Sequence, residues 1–88
     1  MDRIDHICLA VRSIADTREK ICCILGYKPK TNIVKNTRQD VLVQFLTLDG
    51  DSIDLKLIQP ASPQSGLVNF LKSRGEGLHH ICYCQWPK

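Results

Sequence analysis

Leu78-His79-His80-Ile81-Cys82 reads almost as a copy of Ile4-Asp5-His6-Ile7-Cys8, and the rest of the chain lies between the two. Both runs alternate as strands do. His6, Cys8 and Ala10 share one face at period two, as do His80, Cys82 and Cys84, while Ile7, Leu9 and Val11, or Ile81 and Tyr83, take the other. Each strand therefore aims one histidine from the same face. If the two strands lie side by side by pseudo-symmetry, the imidazoles converge, and two convergent histidines are the start of a metal site. His79, of opposite parity to His80, is expected on the outer face or against a helix. Asp5, of opposite parity to His6, is expected to make a surface or turn contact.

The 88 residues make one domain, small enough that folding is marginal without a partner or a staple, which favours a homodimer. Hydrophobic residues make up 43% of the chain, an ordinary globular share, and no apolar run reaches the roughly 20 residues of a membrane helix. The N-terminus goes straight from charge into a strand, without the pattern of a signal or transit segment, so a cytoplasmic location is expected. Five cysteines are an odd number for a disulfide framework, and they read as reduced, mostly buried thiols. A net charge of +3, scattered along the chain, permits an anionic ligand. No basic stripe interleaved with aromatics points to nucleic acid.

Between the two copies, Ser13 three residues before Asp16 predicts an N-cap and a helix from about Ile14, with Ile14, Arg18, Ile21, Cys22 and Leu25 at helical spacing and Gly26 as the stop. Residues 27–36 hold an edge strand at best, because of Pro29, and 36–40 is a polar turn. Val41 to Leu48 is a strand, Asp49-Gly50-Asp51 a hairpin turn, and Ile53 to Gln59 the antiparallel return. Pro60 to Gly66 reads as a loop, and Leu67, Phe70 and Leu71 as a short helix ending near Gly75. The second His-Ile-Cys strand follows, and Trp86 near the end is a candidate for packing on a partner chain.

Asp5-His6-Ile7, the helix stop at Gly26, Phe45-Leu46 before Asp49-Gly50, and Ser62-Pro63 through Arg74-Gly75-Glu76-Gly77-Leu78-His79-His80-Ile81 together resemble the vicinal oxygen chelate (glyoxalase / bleomycin-resistance) superfamily, closest to methylmalonyl-CoA epimerase-like proteins. The resemblance covers nearly the whole chain up to Tyr83. It implies an α+β fold: a single βαβββ half-barrel module over residues 1–88, with a linker helix at about 66–75 and, at about 78–85, the first strand of an incomplete second module. It also implies that His6 and His80 are metal ligands for a divalent ion such as zinc, cobalt, manganese or nickel. Two positions depart from the pattern. Lys56 stands four residues before Pro60, where relatives carry a Glu or Gln ligand. Arg38, in Thr37-Arg38-Gln39-Asp40-Val41, stands where the epimerases carry an acid-base glutamate.

No catalytic residue is assigned from this chain. Lys56 and Arg38 are instead candidate ligand-binding residues. With His6 and His80 they form a cationic cup for a small anion or acyl-CoA. Three other readings stand beside this one. The first is a metal-dependent epimerase, isomerase or lyase completed by a second chain or module. The second is a structural relict in which the histidines are merely hydrogen-bonded. The third is a zinc site drawing on Cys8, Cys82 and Cys84 with the two histidines.

Overall fold

The computed structural model describes residues 2–49 and 52–85. Strand β1 (Asp2–Ala10) leads to helix α1 (Ile14–Leu25), then to β2 (Lys28–Pro29), β3 (Val34–Asn36), β4 (Val41–Thr47), β5 (Asp54–Pro60), helix α2 (Gly66–Arg74) and β6 (Gly77–Gln85). One mixed sheet runs β2-β4-β5-β1-β6, with β3 also on β4. The pairing of β1 with β5 is parallel, and the remaining pairings are antiparallel.

Local chemistry sets the element ends. Ser13 Oγ accepts the Asp16 N–H at 3.2 Å, and Gly26 closes α1 at φ 77°, a left-handed position that a side chain would strain. Ser65, at the end of the preceding loop, caps α2 by accepting from the Leu67 N–H. Pro60 ends β5 as its last residue, opposite Val41, where its missing N–H costs least. The polar turn before β4 is held from outside: Asp40, at φ 55°, accepts the Ala61 N–H on its carbonyl and the Ser62 hydroxyl on its carboxylate. Gly50 and Asp51 of the expected hairpin turn, and Trp86, lie outside the described residues.

Alternation sorts the strands onto two cores. Val11, Ile14, Leu46 and Leu57 are buried together, with Leu9, Ile21 and Leu55 packed against them, so α1 covers one face of the sheet. On the other face Cys8, Ala10, Val41 and Ile58 meet Leu67 and Leu71 of α2. This second core fills only one end of its face. Further along the same face the register brings His6, Phe45, Lys56, His80 and Cys82 together. The half-barrel expectation is thereby met, with the last strand placed beside the first.

The β1·β6 ladder slips twice, between Ile4 and His6 and between Cys8 and Leu9. The residues skipped in the register are Asp5 on β1 and His79 on β6. Each is the extra residue of a β-bulge, which interrupts the alternation and turns its side chain toward the following histidine.

Candidate functional site

His6 is held on two sides. Its Nδ1 lies 2.8 Å from Asp5 Oδ2, and its ring meets Phe45 edge-on at 5.3 Å between centroids. The side chain is 13% exposed. Because an ionised carboxylate only accepts, Asp5 fixes the proton on Nδ1 and leaves the Nε2 lone pair free. Nε2 is buried and has no hydrogen-bond partner among the described residues. An unsatisfied buried acceptor costs about 1–3 kcal/mol, so it calls for an occupant. A histidine with its far nitrogen on a carboxylate and its near nitrogen bare is the usual state of an oriented metal ligand.

The His80 ring lies 6.4 Å from that of His6 and edge-on to it. Its Nδ1 is 2.7 Å from Nδ1 of His79, so one ring donates and the other accepts. The bulge thus gives His80 an orienting neighbour in the same relation that Asp5 bears to His6. His79 also rests on Phe70 of α2, with centroids 4.8 Å apart, so of the two placements expected for it the helix contact is the one found. Asp5, expected by parity to make a surface or turn contact, instead turns its carboxylate onto His6, because the bulge breaks the alternation there. Desolvation, with smaller contributions from the charges of His79, Lys56 and His6, lowers the His80 pKa below the usual imidazole value of 6.5. Low pKa favours the neutral form that a metal requires.

His6, His80 and Cys82 each offer a ligand atom within 4.8 Å of the others, and Cys8, His79 and His80 form a second such group. Cys84 belongs to neither. The two predicted metal histidines are therefore brought together, and the thiol that joins them is Cys82.

Lys56 is directly opposite Cys8 in the β1·β5 register, and its Nζ stands 5.8 Å from the centre of the Phe45 ring. The alternation of Leu55 and Leu57 onto the α1 face points it toward the histidines, as expected from sequence. Among the described residues its ammonium has no carboxylate partner, whereas Asp54, two residues away, is bridged to Lys30 at 2.6 Å. A shallow depression next to Lys56 is lined by Phe45, Val43, Asn36, Lys35 and Thr31. Arg38 is not among its lining residues. It is exposed on the turn between β3 and β4, where its backbone N–H donates to Asn36 Oδ1 at 3.1 Å.

A mixed sheet with two strand-borne histidines converging on one face matches half of a vicinal-oxygen-chelate cup. The profile of the Glyoxalase/Bleomycin resistance protein/Dioxygenase superfamily matches residues 5–85, and the chain belongs to that superfamily. It is 35% identical over 83 residues to the uncharacterized protein YqjC of Bacillus subtilis, covering 94% of this chain and 57% of that protein. A hypothetical protein from Bacillus halodurans superposes with a TM-score of 0.82 at 32% identity, over 93% of this chain and 57% of the other. A Streptomyces coelicolor methylmalonyl-CoA epimerase variant, solved with 2-nitronate-propionyl-CoA, gives 0.79 at 32% identity, over 92% and 58%. This chain thus spans a little over half the length of its relatives. Among the described residues no helix is long and apolar enough to cross a membrane.

Proposed function

We propose that the chain is a metal-holding half-cup that binds a small carboxylate or acyl-CoA-type anion, and that its second half comes from another copy of the chain. The observation that carries this reading is the buried Nε2 of His6, which has no hydrogen-bond partner among the described residues and belongs to a ring oriented by Asp5 and 6.4 Å from that of His80. His6 and His80 would hold a divalent ion of the zinc, cobalt, manganese or nickel kind. When bound, the ion supplies a Lewis acid that polarises a ligand oxygen. Lys56, half-buried and without a carboxylate partner among the described residues, supplies a point charge for the ligand's carboxylate or phosphate. The ligand class is suggested by the acyl-CoA bound in the Streptomyces coelicolor enzyme.

Epimerisation needs in addition a group that moves a proton next to a carbonyl. Asp5 is committed to His6 and Asp54 to Lys30, so the carboxylates nearest the cup are taken. Arg38, on its exposed turn, would at most reach an extended ligand's phosphates. This half therefore binds and polarises, and any proton transfer would fall to the complementary half. Five free thiols suit a reducing compartment, which is why we place the protein in the cytoplasm.

The case for a second copy rests on β6, which ends the sheet and leaves Leu78, Ile81 and Tyr83 exposed, with Tyr83 at 69%. Long apolar edge strands are normally covered. Light scattering at micromolar concentration should give a dimer, and a strict monomer would count against it. The metal reading is tested by melting the purified chain with and without zinc, cobalt, manganese or nickel. A ligand bound only by the folded state raises the melting temperature, and His80→Ala should remove that rise. For the anion, chemical-shift titration with phosphate or a short carboxylate should show binding that weakens with salt and disappears in Lys56→Glu. The same substitution restores a carboxylate beside the histidines and should strengthen metal binding. If wild type binds no anion and Lys56→Glu gains no metal, the cup is structural.

A further inference from the structure

The two His-Ile-Cys copies run antiparallel, and the register sets His6 opposite Cys82 and Cys8 opposite His80. Imidazole and thiol therefore alternate around four neighbouring positions on one sheet face. Within that square His6, His80 and Cys82 already present nitrogen, nitrogen and sulfur within 4.8 Å of one another. Cys8 is fully buried in the α2 core, whereas Cys82 is half-buried further along the same face.

We propose that Cys82 Sγ is the third protein ligand, so that the cup is a His2Cys centre with an open fourth position and a preference for zinc over harder ions. This rests on the metal reading above and specifies its donor set. On binding, Cys82 forms the metal–sulfur bond as thiolate and its thiol proton leaves to water. Charge favours the arrangement. With Asp5 and Asp54 committed elsewhere, two neutral histidines would leave a dication beside the Lys56 ammonium with no anion in the first coordination sphere, and a thiolate supplies one negative charge there. Distance is also compatible. Metal–nitrogen bonds of about 2.0–2.1 Å and metal–sulfur bonds of about 2.3 Å put tetrahedral ligands roughly 3.5 Å apart, within reach of the present spacing by side-chain rotation. Three protein ligands with an open position is the pattern of zinc sites that act on a ligand rather than merely brace a fold. Thiolate softness separates zinc and cobalt from manganese and magnesium.

Cobalt(II) titration of the metal-free 88-residue chain tests this without reference to activity. The expected result is a near-ultraviolet thiolate-to-cobalt charge-transfer band that saturates at one equivalent. It should be lost in Cys82→Ser and kept in Cys84→Ser and Cys8→Ser. Zinc affinity should fall by more than about tenfold in Cys82→Ser, since even outer-shell changes at such sites cost 10–100-fold. The band is read first on wild type, so the result does not depend on a variant folding. Cobalt binding without any thiolate band overturns the inference and leaves the two-histidine reading standing. A band that survives Cys82→Ser and vanishes in Cys8→Ser overturns the assignment to Cys82. No binding of cobalt or zinc by wild type overturns the metal reading and this inference together.

Discussion

Strands β1 and β6 carry the same His-Ile-Cys triplet, but β1 runs between β5 and β6, whereas β6 has only β1 beside it. On β1 the outward face, at Leu9, is packed under the α1 cluster. On β6 the matching residues Ile81 and Tyr83 are 37% and 69% exposed. The inward face differs in the same sense: Cys8 is fully buried and Cys82 half-buried. Even the bulges differ, since one turns a carboxylate onto its histidine and the other an imidazole. Identical residues thus acquire different burial and different proton chemistry from their neighbours. What β6 lacks is the layer that α1 and β5 provide for β1.

The largest test of that contrast is a pair of truncations. Leu57→Ala, beneath α1 at zero exposure, should destabilise the chain by about 2–5 kcal/mol in urea unfolding. Tyr83→Ala should cost under about 0.5 kcal/mol in protein diluted until light scattering reads a monomer. If β6 is covered by a second copy, the Tyr83→Ala cost should grow with protein concentration and appear as weaker dimerisation. Equal losses for Leu57→Ala and Tyr83→Ala at every concentration would break the comparison, because β6 would then be as covered as β1.

The bulges offer a sharper, smaller test. Asp5→Asn keeps the size of the side chain but presents either a donor or a weaker acceptor to His6 Nδ1, and should lower zinc affinity about 10–100-fold by calorimetry. His79→Asn should cost less, because His79 is itself exposed whereas Asp5 is half-buried. A larger loss at His79 than at Asp5 would show that the β6 histidine is the one whose orientation limits binding.

Alternation alone carried much of this architecture. It put His6, Cys8, His80 and Cys82 on one face and Leu9, Leu55 and Leu57 on the other, because side-chain parity within a strand is a local property. Lys56 was placed toward the histidines by the same logic, and Ser13 and Gly26 announced α1. The bulges at Asp5 and His79 could not be read in this way. They arise from the register between two strands at opposite ends of the chain, and Gly75 at φ 74° and Gly77 at φ 150° are the nearby positive-φ positions. Because the bulge breaks parity locally, alternation accounts for the helix contact of His79 with Phe70 but not for its contact with His80. The pairing of β1 with β5 rather than only with β6 is likewise a tertiary fact. Arg38 was aligned by motif, and a motif fixes position along the turn but not the distance of an exposed side chain from the cup.

The two thiols give the finest test of whether neighbours alone distinguish the copies. Burial pushes the Cys8 pKa up to about 11; Lys56 pulls it partly back, and Cys82 adds a small upward push. Relative to the ordinary value of 9.0, a rise of two units cuts the thiolate fraction about a hundredfold at any pH below 9. The thiolate is the reacting form, so in metal-free native protein at pH 8 Cys82 should be alkylated by iodoacetamide well before Cys8, as read by peptide mass mapping. The same shift has a stability sign. A folded-state pKa above the unfolded one means that the native chain holds the proton more tightly, so the contribution is complete below pH 9 and is lost as pH climbs toward 11. Wild type should therefore lose stability across that alkaline window, and Cys8→Ala, though less stable overall from its lost packing, should lose less across it. Equal alkylation rates for Cys8 and Cys82, with no difference in alkaline slope, would mean that β1 opens as readily as β6, and the burial contrast between the two strands would not survive in solution.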